Sequence, residues 1–468
     1  MLYDNVGRPA HQRVRHNGRT LLDKSYLWGD NLRLLQTLDT INRRSVRYDY
    51  DTFGSLSGAV YDDGSCQWRN PDVMGNVYDS PDRTDRSYGR GGQLREDRKW
   101  RYYYDSHGNL VLKTIRRIEP SCDAEAREEF LAWQSGDYAY TWQGNGMLRS
   151  VTRPDGKTVT FRYDALGRRI EKVFDGRVYR YLWDGDVILH EWDYTEADRP
   201  NTVVTETGEV TLDRPEPVEN LITWVYDSDS YAPTAKIVGE RHYSIISDYI
   251  GRPVQAYDDN GNIVWQADYD IYGDLRNIKG IRDFIPFRQL GQYEDDETRL
   301  YYNRFRYYDP RIGNYISQDP IRLAGNNPTL YGYVGDLNNW ADVFGLKGGG
   351  SYSSVRSSNI GGEVHHTPAN SINGLSHGEG PSIWMETTDY RMAYSHGWQG
   401  KEGALYRQTQ LDLINQGKFA DAIQMDIDDI LSSFGSKYDS SINEMLDYSY
   451  EKGLISEAER DKMKICTK

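Results

Sequence analysis

Four of the chain's nine histidines, His365, His366, His377 and His396, fall within 32 residues near the carboxyl end. The first two are adjacent and follow a carboxylate, in Glu363-Val364-His365-His366-Thr367-Pro368-Ala369. Neutral imidazole serves both as a metal ligand and as a base near neutral pH. Neighbouring histidines on a strand face opposite sides, whereas at a strand-to-loop bend one can bind a metal while the other meets substrate. Glu363, two residues from His365, shares its face as a ligand or orienting group. The set suits metal-assisted hydrolysis of a phosphodiester. An imidazole takes a proton from water, and a divalent ion stabilises charge developing on the phosphate and the leaving oxygen.

The elements that must hold this cluster change character along the chain. Past residue 346 a Gly/Ser-rich run, Lys347-Gly348-Gly349-Gly350-Ser351 to Ser358, reads as a flexible linker over 347–359. Farther on, Phe419, Ile423, Ile427, Ile430 and Leu431 form one apolar helical stripe. The acids Asp421, Asp426, Asp428 and Asp429 read as the solvated face of that helix. A second helix begins near Ile442, Met445 and Leu446, and a short one covers 455–465. Residues 347–468 carry twelve Lys and Arg against seventeen Asp and Glu, so this part is acidic.

The chain has 468 residues, which at roughly 150 per domain allows two to four domains. Apolar residues make up 38%, below the usual ~45–50%, and tyrosine dominates the rings, with Tyr 38 against Phe 10 and Trp 12. With Gly 44, this predicts a β-rich, turn-rich body. The net charge of −15 argues against a chain that coats nucleic acid with a broad basic surface, but not against a metal-dependent nuclease. Cys66, Cys122 and Cys466 are too scattered for a disulfide framework or a CxxC pair. The amino terminus has no apolar signal segment and no stretch is apolar enough to span a membrane, so the expected start is cytoplasmic, with export by some other route.

One unit recurs: Tyr-Asp-x-x-Gly, beginning at Tyr3, Tyr50, Tyr104, Tyr163, Tyr257 and Tyr269. Glycine supplies the positive φ of a tight turn, and alternating segments such as 157–163 supply the strands. One hairpin cannot bury its own face, so successive hairpins must join into a continuing sheet. Two insertions interrupt the repeats: 123–134 reads as a short helix, and 193–219 as a polar loop.

The pattern resembles the YD repeats of the Rhs family, whose strands wind into a hollow cocoon. The stretch from Gly291 to Pro310, continued by Ile316-Ser317-Gln318-Asp319-Pro320, is similar to the Rhs-associated core signature. In that family the core ends in a self-cleaving aspartyl motif, DPxGL repeated across eighteen residues. Here Asp319-Pro320-Ile321-Arg322-Leu323 precedes Asp342-Val343-Phe344-Gly345-Leu346 by that spacing, with Arg322 and Val343 departing from it. The resemblance implies that Asp319 and Asp342 share a proton and cut between Leu346 and Lys347.

The run from Glu363 through Gly380-Pro381, Asp389-Tyr390 and Ser395-His396-Gly397 resembles HNH/endonuclease VII-like nuclease toxins. It implies a ββα-metal-type domain in which His365 ligates a divalent ion (Mg, Mn or Zn), His366 is the general base, Glu363 supports them, and Asp389 and His396 lie on the metal side. Tyr390 stands where related toxins carry His, which leaves His396 or His377 to substitute. The expected architecture is a mainly β YD-repeat region (1–290), a core end (291–346), the linker, and a small α+β toxin domain (360–468) with supporting helices. The expected function is a polymorphic toxin with a nuclease tip, acting on DNA in interbacterial competition. Its implied partners are the nucleic acid, a cognate immunity protein and a secretion machine, often type VI. The alternative is a YD-repeat structural or binding fragment with a decayed tip.

Overall fold

The computed structural model describes the chain apart from residues 6, 30–32, 53, 119–130, 228–229, 321–328, 340, 343–348, 353–354, 356–362, 377, 386, 395–399 and 466–468. The chain divides into two compact units, Met1–Thr84 with Gln318–Lys468, and Asp85–Ser317.

The repeat is a self-closing turn. At Asp4, Asp51, Asp105, Asp164, Asp258 and Asp270 the carbonyl accepts the N–H of the glycine three residues on, at 2.9–3.2 Å. The same aspartate's carboxylate accepts the N–H four residues on, at 2.8–2.9 Å. The glycines sit at φ between +73° and +89°, a region that side chains oppose. The preceding tyrosine stitches the sheet together: the hydroxyls of Tyr50, Tyr163 and Tyr269 donate to the carbonyls of Leu34, Leu148 and Pro253. In these three repeats the motif fixes both its own turn and its distance from an earlier strand.

In the second unit these turns build a sixteen-stranded antiparallel sheet from Ser87–Tyr88 to Leu275–Lys279, in which neighbours follow chain order among the described residues. The 193–219 insertion is not a loop. It ends the strand Val187–Thr195 and carries the exposed hairpin Thr202–Val204 with Val210–Leu212. All six hairpin residues are exposed, so burial left no alternation for the sequence to display. Most of 123–134, predicted helical, lies outside the described residues.

The core-signature stretch forms a separate four-stranded sheet whose strands are wholly buried: Tyr293–Asp295, Leu300–Asn303, Arg306–Asp309 and Asn314–Tyr315. Its charges are matched by strands of the same unit. Arg169 donates to Asp295 at 2.6 Å, both side chains fully buried, and its guanidinium lies over Tyr181 and Tyr302. The pairing is incomplete: Arg169 Nε and Nη2 and Asp295 Oδ1 are buried without a hydrogen-bond partner, and Lys172, 3.6 Å from Asp295 Oδ1, adds a second cation to the site.

In the first unit a seven-stranded meander runs from Leu2–Tyr3 to Cys66–Trp68. The carboxyl-terminal domain of this unit opens with strand β1 (Gly349–Ser351), where composition predicted only flexible linker. It pairs with β3 (Pro381–Met385), which also pairs with β2 (Glu363–His366). Helices α1 (Thr387–Met392), α2 (Gly400–Asn415), α3 (Phe419–Phe434), α4 (Asp439–Glu451) and α5 (Glu457–Met463) follow. Ile383 and Met385 of β3 pack with Ile423, Ile427 and Ile430 of α3 and with Ile442, Met445 and Leu446 of α4. The chain is thus mainly β, ending in a small α+β domain. No helix among the described residues is long and apolar enough to cross a membrane.

One carboxylate of the helical acidic face does not meet water. Asp421 and Asp428 are exposed, but Asp426 is fully buried. It lies three residues after Ile423 and four before Ile430, within the apolar stripe, and α2 supplies its hydrogen-bond partners.

Candidate functional site

β2 and β3 form an antiparallel hairpin in which His365 pairs with Ile383 and His366 with Ser382. The hairpin leads into α1, so the order is strand, strand, helix. Strand alternation puts Glu363 and His365 on one face, and His366 is the last residue of β2, where the strand gives way to Thr367-Pro368. On the first face the ring of Tyr390, from α1, meets the edge of His365 at 5.5 Å between centroids. His365 is buried, while Glu363 and Tyr390 are half-buried. Burial, then the Glu363 carboxylate and Tyr352, push the Tyr390 phenol above its ordinary pKa. The phenol therefore stays protonated near neutral pH and acts as a hydrogen-bonding group rather than an anionic ligand.

His366 stacks flat on Tyr352, with centroids 4.3 Å apart and planes 10° from parallel. The ring is held from behind by Gly380, where an added Cβ would fall 2.6 Å from His366 Cδ2. Tyr352 is not in the motif, and Gly380 stands in it as a quoted position with no role attached. The first lies in the serine-rich run, where nothing in the sequence marks it. The second had a signal, a glycine directly before the β3 proline.

Asp389 is turned to the helices. Its carboxylate accepts from Lys437 Nζ at 2.8 Å and from the Tyr438 hydroxyl at 2.7 Å. The face thus brings together Glu363, His365 and Tyr390 and leaves Asp389 in an ion pair. His377 and His396 lie outside the described residues. Glu363 and His365 are the donor types that hold divalent ions. No group of three His, Cys, Asp or Glu converges among the described residues, so the set is one ligand short of the usual three.

The second candidate pair lies in the same unit. Asp319 and Asp342 are buried, at 1% and 7% exposure. The Asp319 amide donates to the Leu330 carbonyl at 2.7 Å, and the Asp342 amide donates to the Tyr333 hydroxyl at 3.3 Å. One short segment, 330–333, therefore contacts the backbone of both. Arg322, Val343, Leu346 and Lys347 lie outside the described residues.

The Teneurin YD-shell family model matches residues 1–327. The chain is 31% identical over 377 residues to double-stranded DNA deaminase toxin A of Burkholderia cenocepacia (strain H111), an alignment covering 74% of this chain and 24% of that protein. It is 28% identical over 368 residues to probable deoxyribonuclease RhsA of Dickeya dadantii (strain 3937), covering 74% and 23%. A crystal structure of TcdB2-TccC3-TEV matches with a TM-score of 0.42 and 17% identity, over 74% of this chain and 19% of that one. The chain spans about a quarter of the length of these curated relatives.

Proposed function

This chain belongs to the Teneurin YD-shell family, and from that membership and the geometry of the tip we propose that it is a toxin whose carboxyl-terminal domain hydrolyses nucleic acid, with DNA as the substrate. One of its relatives is named a deoxyribonuclease and another a DNA deaminase, so a shared shell does not choose the chemistry. The observation that carries the nuclease reading is the strand-strand-helix order of 363–392, with Glu363 and His365 on the face that meets the α1 ring. His366, less buried than His365 and oriented by Tyr352 and Gly380, is the proposed base toward water. Glu363 and His365 are the side chains that would hold a divalent ion, which would supply charge stabilisation at the phosphate.

The test is incubation of the full chain with plasmid DNA or total RNA, in EDTA and with Mg²⁺, Mn²⁺ or Zn²⁺ added separately. DNA cutting that needs metal and falls about 100-fold or more in His366→Ala is expected. A folded chain that cuts neither nucleic acid with any metal overturns the reading. A second reading, a shell with an inert tip, is favoured by the engagement of Asp389 with Lys437 and by Tyr390 in place of histidine. Cutting that appears only in Tyr390→His would establish it.

Self-cleavage after Leu346, by Asp319 and Asp342 sharing a proton, belongs to the same proposal. Their burial and their attachment to one segment support it. Delivery into competing cells by a secretion machine, and a cognate immunity protein in the producer, complete the proposal on the strength of the Rhs resemblance.

A further inference from the structure

We infer that Arg69 is a positioning residue for self-cleavage: it clamps the segment that holds the backbones of both Asp319 and Asp342, so that cutting waits for the first repeat sheet to fold. The inference rests on the self-cleavage reading above.

The segment begins at Leu330, whose carbonyl takes the Asp319 amide, and passes Tyr333, whose hydroxyl takes the Asp342 amide. Directly after it, the carbonyls of Val334 and Gly335 accept from Arg69 Nη2 at 2.6 Å and Nη1 at 2.8 Å. The Leu56 amide, from the strand Leu56–Tyr61, also donates to the Gly335 carbonyl, at 3.1 Å. Arg69 follows the last strand of the meander, Cys66–Trp68, and its own amide donates to the Ser57 carbonyl at 2.8 Å. Its base is therefore fixed by the sheet while its planar fork reaches two successive carbonyls. A guanidinium supplies that geometry and an ammonium does not. At 3% exposure the contacts are shielded from water, and charge-assisted bonds of this kind are roughly twice as strong as neutral ones.

Past the clamp the segment locks itself. Asp336 accepts from the Asn338 amide at 2.9 Å and from Asn339 Nδ2 at 2.7 Å. Tyr331, Tyr333 and Leu337 are buried beside it. Two carboxylates that share a proton must be held close together, and a displacement of about 1 Å at a reacting geometry can slow a reaction about 100-fold. Arg69 directly follows the last strand of the repeat sheet and is far from the motif in sequence. The aspartates are therefore registered only when that sheet exists.

The experiment is cell-free synthesis of the full chain, following the appearance of the fragment ending at Leu346. Wild type is compared with Asp342→Asn, Arg69→Met, Arg69→Lys and Tyr333→Phe, and with Arg69→Ala supplemented with guanidinium ion. Arg69→Met is expected to cut about 100-fold more slowly than wild type. Arg69→Lys, able to reach one carbonyl, should recover part of the rate, and guanidinium should restore cutting by Arg69→Ala, which a misfolded sheet would not permit. Tyr333→Phe keeps the clamp and removes one bond, for an expected slowing of about tenfold. Wild-type rates in Arg69→Met or in Tyr333→Phe, with Asp342→Asn uncut, overturn the inference. An uncut wild type overturns the self-cleavage reading itself.

Discussion

Asp309 in the repeat unit and Asp426 in the carboxyl-terminal domain are both closed off from water, at 1% and 0% exposure, and their pKa values are pushed in opposite directions. Burial alone would raise both pKa values. At Asp309 it is overcome by Arg311, whose Nε donates at 2.7 Å, and by Lys113 at 3.2 Å, which together hold the carboxyl well below its ordinary range. At Asp426 burial wins. Oδ1 accepts from the Tyr406 hydroxyl at 3.0 Å and from Gln410 Nε2 at 2.8 Å, and among the described residues it forms no ion pair. Nearby Asp429 pushes the pKa still higher. Asp426 Oδ2 and Gln410 Oε1 are both buried acceptors with no donor, so a proton on the carboxyl supplies a donor the pair lacks. One residue type is thus stabilised as an anion in the sheet and pushed toward its neutral acid between two helices. What differs is the neighbours that the fold delivers.

The comparison breaks first in the repeat unit. Arg169→Met leaves Asp295 buried, with Lys172 at 3.6 Å as its remaining cation among the described residues. Chemical denaturation should show that unit destabilised by about 3–5 kcal/mol, as for other half-removed buried pairs. If the loss is within about 1 kcal/mol, the buried pairs do not hold the core-signature sheet in place.

Next in size is the pH dependence, which should have opposite slopes in the two regions. The lowered pKa of Asp309 contributes stability that is full above the ordinary aspartate value of about 3.9 and is lost as pH falls below it. The raised pKa of Asp426 contributes stability that is full below about 3.9 and is lost as pH rises toward its higher folded value. Asp426→Asn, which brings its own donor for Gln410, should stabilise the carboxyl-terminal domain at neutral pH by about 1–3 kcal/mol and flatten its slope. Calorimetric melting of the full chain across pH 3–8 measures this. An Asn variant less stable than wild type at pH 7 would mean that the buried group is an anion after all.

The smallest effect concerns the candidate site. Gly380→Ala should push the His366 ring off Tyr352, reducing nucleic-acid cutting about tenfold while shifting melting by only a few degrees. Unchanged cutting would remove His366 from the proposed chemistry.

Local chemistry was legible wherever it closes on itself. The six Tyr-Asp-x-x-Gly turns form because aspartate and glycine three residues apart satisfy each other without help from distant strands. Asp72 and Asp248 make the same turn and escaped the pattern, since Pro71 and Ser247 stand where the tyrosine would be. The helical stripe of Phe419, Ile423, Ile427, Ile430 and Leu431 was legible from its spacing. Asp426 was grouped with its acidic neighbours by charge, although its position between Ile423 and Ile430 already placed it on the apolar side. Gly349–Ser351 could not be read as a strand, because two glycines and a serine have no apolar alternation to show.

The sequence by itself determined the repeat, the turn that builds it, and which residue types could do chemistry: the paired histidines with Glu363, and the two aspartates at a fixed spacing. These follow from interactions spanning a few residues. Only the tertiary structure decided which of them meet. It put Tyr390 on the His365 face, turned Asp389 to Lys437, and brought Arg69, just past the first sheet, onto Val334 and Gly335. Orientation and protonation depend on contacts between residues distant in the chain, and those contacts exist only once the sheets and helices have packed.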